Sequence, residues 1–266
     1  MAPRLSRYTL NICHLYPDLM DTYGDRGNII GLTKRCQWRG IETVVKSISV
    51  DDSLNPEEFD IFFFGGGQDR QQEIVGRDLP KKAKALKESV EQGTTLLAIC
   101  GGYQLLQNYF KTLEGIEIKG IGLFNAHTVG STTRMIQNLL VEINPDLQWE
   151  ITKNYHSTIN RQLSMNLIGF ENHSGKTYLG KNLKPLGKVI KGSGNNGEDG
   201  TEGAVYKNAF GCYLHGSLLP KNPHFADYLI TKTLERRYGK IKLEPLDDSI
   251  EWQAHRATTA RTRSSN

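Results

Sequence analysis

The sequence of 266 residues has little of what marks several common protein classes. Its four cysteines form no CxxC pair, so neither a zinc site nor a disulfide framework is indicated. There is no run of about eighteen apolar residues, and the N-terminal stretch MAPRLSRYTLNICHLY contains no signal-peptide core. We therefore expect a soluble cytoplasmic protein with no metal site.

Nucleotide-binding loops and a strong charge are missing as well. GGGQDR lacks the GK[ST] of a P-loop, and no GxGxxG follows the first predicted strand, so we expect no ATP site and no cofactor in this chain. The excess of four basic residues lies partly in the last stretch, HRATTARTRSSN, which we expect to be a solvated, partly disordered tail. A nucleic-acid partner is not indicated.

The order of apolar segments predicts an α/β fold with an open, mostly parallel central sheet and helices on both faces. Strand-like segments at Tyr8–His14 and Ile41–Val50 flank a helix-like segment at Asn28–Arg39. The apolar runs FDIFFF and TTLLAI have the length and composition of buried central strands. Helices are predicted at Leu79–Gln92, between these runs, and at Tyr103–Tyr109.

The second half of the chain has a different pattern of shorter segments. The predicted elements are strands at Gly122–His127, Leu167–Phe170, Gly187–Ile190 and Phe210–Gly216, a glycine-rich loop at Lys191–Gly203, and a helix at Pro223–Tyr238. We see no repeat and no linker. One domain is expected over residues 1–240, followed by a C-terminal extension over 241–266.

Three candidate reactive segments, GGGQD, CGGYQ and HGS, each follow a predicted strand. Ligands of such sheets bind outside the carboxyl ends of the strands, so these segments are expected to meet. Cys100 stands on a strand-turn-helix corner, where the helix N-terminus favours a thiolate nucleophile. His215 ends the last strand and is the best candidate base. His173 is the second candidate, and we expect it to lie behind the reacting groups. The alternative for Cys100 is a small buried apolar residue.

An attack on a carbonyl also needs hydrogen-bond donors for the developing oxyanion. Backbone N–H groups of the loop from Gly65 to Gln68, and that of Gly101 beside Cys100, are the candidates. The competing interpretation of the three glycines is an ordinary flexible turn.

Five spaced motifs resemble one known family. DLMDTYGDRGNI, FFFGGGQD, LLAICGGYQLL, GFENHSGKT and YLHGSLLPKNP are similar to segments of triad-type (class I) glutamine amidotransferases, in the cobyric-acid-synthase-like (CobB/CobQ-like) branch. Within that branch the similarity is strongest to the GatD-type subunit of lipid II isoglutaminyl synthase. The resemblance implies a flavodoxin-like class I amidotransferase fold over roughly Leu10 to Tyr238.

The resemblance also implies a reaction and a set of residues. Cys100 would attack the side-chain amide of glutamine, His215 would protonate the leaving ammonia, and the glutamyl thioester would be hydrolysed to glutamate. The groups implied to bind glutamine are Gln104, Arg134 and the backbone of Gly66 and Gly67. Those implied to form the oxyanion hole are the amides of Gly67 and Gly101.

One departure from the family pattern concerns the acid of the triad. Many of these enzymes have an acid two residues after the histidine, whereas Ser217 occupies that position here. A serine does not orient or stabilise an imidazolium as a carboxylate does. In the GatD type the resemblance implies that a partner subunit supplies an aspartate. An acid from this chain remains open, with Asp21, Asp25, Asp69 and Glu171 as the candidates. In either case we expect weak glutaminase activity from the isolated chain.

The implied partner is a Mur-ligase-like synthase subunit of the MurT type, which would form a heterodimer with this chain and hold ATP and Mg. It would use the ammonia to amidate the D-glutamate α-carboxyl of lipid II. Three alternatives remain open at this point. They are an amidotransferase for another acceptor, such as a cobyric-acid-like compound, a γ-glutamyl cysteine hydrolase, and a binding subunit without catalysis.

Overall fold

The computed structural model describes residues 8–154 and 165–264. Within these ranges the strands form two six-stranded sheets. The first has the strand order β11-β12-β4-β3-β1-β2. Its strands are β1 (Thr9–Leu15), β2 (Glu42–Ile48), β3 (Ile61–Phe64), β4 (Thr95–Ile99), β11 (Ala204–Tyr206) and β12 (Ala209–Cys212). All of its pairings are parallel except that of β11 with β12, which confirms the predicted mostly parallel sheet.

Five helices follow strands of this first sheet, and the first two of them connect its strands. They are α1 (Arg26–Gln37), α2 (Asp69–Glu91), α3 (Gly101–Leu105), α5 (Leu218–Lys221) and α6 (Pro223–Tyr238). The crossover through α1 runs from β1 outward to β2, whereas the crossover through α2 runs from β3 the other way to β4. Because such crossovers are right-handed, α1 and α2 lie on opposite faces of the sheet. The fully buried strands β3, β4 and β12 form its centre.

Two predicted helices have different bounds in the structure. Helix α2 begins at Asp69, ten residues before the predicted start at Leu79. The first turns of α2 were not predicted, because their residues are mostly polar and Pro80 suggested a helix start near that position. Val75 nevertheless belongs to the buried face of the helix. Helix α3 starts directly after Cys100 and ends at Leu105, so most of the predicted helix at Tyr103–Tyr109 was wrong.

The second sheet was not predicted as a unit, although the predicted strands at Leu167–Phe170 and Gly187–Ile190 lie within two of its strands. Of the predicted strand at Gly122–His127, only the last two residues are in a strand. The sheet contains β5 (Tyr109–Lys111), β6 (Glu117–Lys119), β7 (Ala126–Ile143), β8 (Asn166–Leu179), β9 (Gly187–Lys191) and β10 (Thr201–Glu202). Strands β7 and β8 form a long antiparallel pair with a register shift between Gly130 and Met135. Their many polar outward residues made them look like short pieces in the sequence. Helix α4 (Pro145–Asn154) follows β7.

The C-terminal extension forms a helix where the sequence predicted partial disorder. Helix α7 spans Ser249–Ser264, and residues 265 and 266 lie outside the described part of the chain. Trp252 and His255 are buried, and His255 Nδ1 donates to the carbonyl oxygen of Lys221 at 2.9 Å. The polar, basic composition suggested a solvated tail, but two rings on one helical face are enough to dock it. No helix in the described ranges is long and apolar enough to cross a membrane.

Buried ion pairs hold the segment that leads into α7. Arg35 of α1 contacts Asp227 of α6 at 2.7 Å and Asp248, the residue before α7, also at 2.7 Å. Arg39 adds a second contact to Asp227 at 2.6 Å. The desolvation of these buried charges is offset because each has an opposite charge in hydrogen-bonding geometry.

Candidate active site

The three predicted reactive segments meet at one edge of the first sheet. Strands β3, β4 and β12 are neighbours, so the segments that follow them lie side by side. The amide of Cys100 donates to the carbonyl oxygen of Cys212 at 2.8 Å, and that of Gly102 donates to Gly65 at 3.1 Å. These bonds tie the cysteine corner to both neighbouring strand ends, and they confirm that the segments converge.

Cys100 occupies a strained corner between β4 and α3. Its backbone has φ 48° and ψ −106°, which residues with a side chain rarely adopt, and the residue is 7% exposed. This is the geometry by which a nucleophile is held out of a strand end. Helix α3 has five residues, too few for aligned peptide dipoles to add up to much. The helix dipole that the sequence led us to expect behind the nucleophile is therefore small.

His215 is fully buried, and a carboxylate lies against one of its ring nitrogens. Its Nδ1 lies 3.0 Å from Oδ1 and 3.1 Å from Oδ2 of Asp25. Burial by itself lowers the pKa of His215, but the charges of Cys100 and Asp25 and the hydrogen bond with Asp25 outweigh it and raise the pKa to about 10. A raised pKa favours the protonated imidazole, which Asp25 contacts at Nδ1, whereas Nε2 makes no hydrogen bond among the described residues.

Asp25 is the acid on this histidine, and it comes from the chain itself. It is fully buried at the start of α1, and its Oδ2 also accepts the amide of Gly66 at 2.8 Å. The other candidates have different partners: Asp21 accepts the Arg26 amide, and Glu171 accepts the Ser193 and Gly194 amides. Asp69 lies at the cleft and makes no contact with His215. Of the four candidate acids of this chain, Asp25 is thus the one that contacts His215.

Ser217, which cannot replace the acid of the triad, joins the segment of His215 to the segment of Asp25 by a hydrogen bond. Its Oγ donates to the carbonyl oxygen of Gly24 at 2.6 Å. A Cβ placed on Gly27 would lie 1.9 Å from Oγ of Ser217, so only glycine fits at position 27. The segment that carries Asp25 and the segment that carries His215 are packed directly against each other.

Gly66 and Gly67 have different roles in the loop after β3. The amide of Gly66 bonds Asp25, and its carbonyl accepts the amide of Thr22 at 3.1 Å, so both of its polar groups are used within the protein. A Cβ on Gly66 would lie 2.7 Å from Cε1 of His215. The amides of Gly67 and Gly101 have no acceptor among the described residues. A Cβ on Gly101 would lie 2.9 Å from the Gly67 nitrogen, which shows how near the two amides are.

A cleft of about 400 Å³ opens above Cys100, and most of the predicted substrate residues line it. Arg134 lies on its wall, where Nε and Nη2 donate to Oδ1 of Asn172 at 3.1 and 2.9 Å. Gln104 also lines the cleft, but its side-chain amide is already bonded at 3.0 Å to Gln72 and at 3.0 Å to Tyr213. Gln104 therefore shapes the base of the cleft, while Arg134 keeps donor capacity for a ligand.

His173, the second candidate base, lies in the wall of the same cleft as Cys100. Its ring stacks on Tyr213 with the centroids 3.6 Å apart, and Nδ1 donates to the carbonyl oxygen of Gly175 at 2.8 Å. Nε2 is 3.8 Å from the carboxylate of Glu171. Through its contact with Tyr213, the ring of His173 supports the strand end that carries His215. This agrees with the position behind the reacting groups that we expected for His173.

Sequence reasoning did not identify Tyr23 or Asn172 as site residues, and it left Asp25 among four candidates. All three lie in motifs that the resemblance included, DTYGD and GFENHSGKT. Both motifs are polar, rich in turn-forming residues and placed beside predicted strands. That combination was the available signal, since a polar loop next to a strand end is a common place for site residues.

Comparisons with known proteins identify the family of this chain. The sequence model of one protein family, the CobB/CobQ-like glutamine amidotransferase domain, matches residues 11–223 of this chain. The chain is 39% identical to the lipid II isoglutaminyl synthase (glutamine-hydrolyzing) subunit GatD of Streptococcus pneumoniae over 91% of this chain and 88% of that protein. It is 38% identical to the GatD subunit of Staphylococcus aureus, over 93% of both chains.

A solved glutamine amidotransferase structure has the same fold, with a TM-score of 0.53 and 13% identity over 83% of this chain and 98% of that one. The thiol, imidazole and carboxylate lie where such a fold places ligands, at the carboxyl ends of its parallel strands. The chain belongs to the CobB/CobQ-like glutamine amidotransferase family.

Proposed function

We propose that this chain is the glutaminase subunit of a lipid II isoglutaminyl synthase, and that it hydrolyses L-glutamine to glutamate and ammonia. The observation that carries the proposal is the buried His215–Asp25 pair, whose imidazole interacts electrostatically with Cys100, a thiol that lines the cleft. The near full-length similarity to two GatD subunits supports the choice of enzyme.

The arrangement supports a two-step reaction through a thioester. The Cys100 sulfur attacks the side-chain carbonyl carbon of glutamine, and His215 gives its proton to the amide nitrogen as the C–N bond breaks and ammonia leaves. Water then attacks the thioester, its proton passes to His215, and the C–S bond breaks to give glutamate. Asp25 keeps the imidazole oriented in both steps. The unpaired amides of Gly67 and Gly101 are the donors for the oxyanion.

The mouth of the cleft complements the charges on the α-carbon of glutamine. Arg134 offers a guanidinium for the α-carboxylate, because its Nη1 has no acceptor in the described part of the chain. Asp69 lines the same cleft and offers a carboxylate for the α-ammonium. Partial burial, Glu114 and Glu73 raise the pKa of Asp69, whereas the nearby charge of Arg134 lowers it. The net effect is a raised pKa of Asp69, and Arg134 offsets part of that rise.

The ammonia is proposed to pass to a Mur-ligase-like partner of the MurT type in a heterodimer. That subunit would hold ATP and Mg, activate the D-glutamate α-carboxyl of lipid II and form D-isoglutamine. The word subunit in the names of both relatives supports a second chain. We place the reaction in the cytoplasm, since it needs free glutamine and ATP.

The test is a measurement of glutamate and ammonia formed from L-glutamine by the full chain, alone and with a co-expressed MurT-type protein. We expect release in both cases, amidated lipid II only with partner, ATP and lipid II, and no release from Cys100→Ala. Release from γ-glutamyl peptides instead of glutamine would favour the cysteine hydrolase. Amidation of a cobyric-acid-like acceptor instead of lipid II would change the acceptor. Unchanged release from Cys100→Ala would refute the chemistry.

A further inference from the structure

Tyr23 has a backbone conformation that nothing in its local sequence requires. It lies in the short turn Thr22–Gly24 with φ 54° and ψ 30°, in the left-handed region that bulky residues avoid. Its side chain is 43% exposed although it is a large aromatic. Strain of this kind persists when the surroundings hold it, and it is common at functional sites.

The side chain of Tyr23 joins two parts of the candidate site. Its ring lies edge-on to the ring of His215, with the centroids 5.1 Å apart and the planes at 74°. Its hydroxyl oxygen accepts from Nη2 of Arg134 at 3.4 Å. Tyr23 therefore touches the proposed base at one end and the proposed carboxylate-binding residue at the other, and it lines the cleft between them.

The turn that carries Tyr23 is anchored on both sides. The amide of Thr22 bonds the Gly66 carbonyl, the carbonyl of Gly24 accepts from Ser217, and Asp25 bonds His215. These contacts fix the backbone of Tyr23 and leave its side chain as the exposed part of the turn. The strained conformation is the one that directs the ring over the cleft.

The hydroxyl of Tyr23 is a donor that the protein does not use. Because its oxygen accepts from Arg134, its own proton points elsewhere, and no described residue accepts it. Nη1 of Arg134 is likewise without an acceptor there. A carboxylate held between Nη1 and this hydroxyl would receive one bond from each, which is stronger than a bond to the guanidinium alone.

We propose that Tyr23 is a positioning residue of the glutaminase reaction and that it contacts the carboxylate of the substrate. Its hydroxyl donates to the α-carboxylate of glutamine bound at Arg134, and its ring holds the imidazole of His215 against the Cys100 sulfur. The inference rests on the proposed function, since it assumes glutamine as the ligand. It divides the side chain into a binding part, the hydroxyl, and an aligning part, the ring.

The experiment compares Tyr23→Phe and Tyr23→Ala in the full chain by steady-state glutaminase kinetics. Tyr23→Phe removes only the hydroxyl, so KM for glutamine is expected to rise about tenfold with kcat within about twofold of wild type. Tyr23→Ala also removes the ring, so kcat is expected to fall by a further factor of about ten or more. Tyr178→Phe is the matched control, because that ring stacks on His127 and its hydroxyl bonds Glu198, outside the cleft lining.

A second measurement does not depend on turnover. The rate at which iodoacetamide alkylates Cys100 is followed against pH by the mass of the peptide that contains it. This small reagent has no carboxylate, so Tyr23→Phe should leave the profile unchanged, whereas Tyr23→Ala should shift it because the imidazole is no longer held. Thermal unfolding checks that both variants are folded.

The outcomes separate this proposal from the proposed function. If wild type releases ammonia from glutamine and both Tyr23 variants match it in KM, kcat and alkylation profile, Tyr23 has no positioning role while the function stands. Identical losses in Tyr23→Phe and Tyr23→Ala would also overturn the division between hydroxyl and ring. If wild type itself releases no ammonia with or without partner, the proposed function has failed.

Discussion

Nδ1 of His215 and Oδ1 of Asp25 are 3.0 Å apart, although 190 positions separate the two residues in the chain. Both side chains are fully buried, and Gly66 donates to the same carboxylate. A buried carboxylate on the far nitrogen of an imidazole fixes its tautomer and stabilises its protonated form. This chain therefore holds an orienting acid of its own.

Replacement of Asp25 by Asn should reduce kcat for glutamine hydrolysis by about 100-fold or more with little change in KM, because the amide no longer stabilises the imidazolium. Steady-state assays of the isolated chain provide the test. Asp21→Asn is the matched control from the same turn, since Asp21 bonds the Arg26 amide instead of His215. Wild-type activity in Asp25→Asn once the partner is added would show that the partner's acid is the one in use.

The pKa of His215 is a second test of the same line of residues. It is expected near the raised value of about 10, compared with an ordinary 6.5. The sign follows from that shift: the stabilisation of the fold by protonated His215 is complete below about pH 6.5 and is lost as the pH rises towards 10. Titration of the imidazole by NMR gives the value directly. Cys100→Ala should lower this pKa, and a wild-type value near 6.5 would contradict the ion pair.

Replacement of Gly66 by Ala should abolish most of the activity, with a loss of about 100-fold or more, because its Cβ would press on the imidazole of His215. Only the glycine lets the loop after β3 approach the ring while donating to Asp25. Gly31→Ala in α1 is the control, since a Cβ there would lie 3.4 Å from Pro220, an ordinary contact. Equal activity of the two variants would argue against a tight approach at Gly66.

Loss of charge at the cleft mouth should weaken glutamine binding more than it slows the chemistry. Arg134→Ala is expected to raise KM by about tenfold or more, and Asp69→Asn by several-fold, about threefold or more. Steady-state kinetics with glutamine and with N-acetylglutamine separate the two charges. The Asp69 variant should lose affinity only for free glutamine, whose ammonium it would bind. An equal loss for the acetylated compound would remove Asp69 from ammonium recognition.

Trp252 should make helix α7 a stabilising part of the fold. The side chain is 5% exposed and stacks on His224, so Trp252→Ala is expected to lower the free energy of unfolding by about 3 kcal/mol. Chemical denaturation measures this. Ile250→Ala on the same helix is the control, because Ile250 is 76% exposed and should change the value by less than about 0.5 kcal/mol. A cooperative transition with unchanged midpoint in Trp252→Ala would mean that α7 is not docked.

The central strands and their reactive ends could be predicted because their signals are local. FDIFFF and TTLLAI are apolar runs of strand length, the first followed by GGG and the second by CGG, and that pattern is typical of strands buried on both faces. The rule that loops meet at the carboxyl ends of parallel strands then brought Cys100 and His215 together. The full length of β7 and β8 and their pairing were missed because their outward residues are polar and the paired residues are distant in sequence. Helix α7 was missed because most of its residues are polar or basic.

The sequence by itself determined the parallel sheet, the corner that holds the nucleophile and the histidine beside it, since each depends on a few consecutive residues. Only the tertiary structure decided that Asp25 is the acid in contact with His215 and that Tyr23 lines the cleft. It also decided that the basic C-terminal stretch is a docked helix. Asp25 and Tyr23 acquire their partners through contacts that span 190 and 111 positions, respectively. Residue order alone does not determine such distances, because the path of the folded chain sets them.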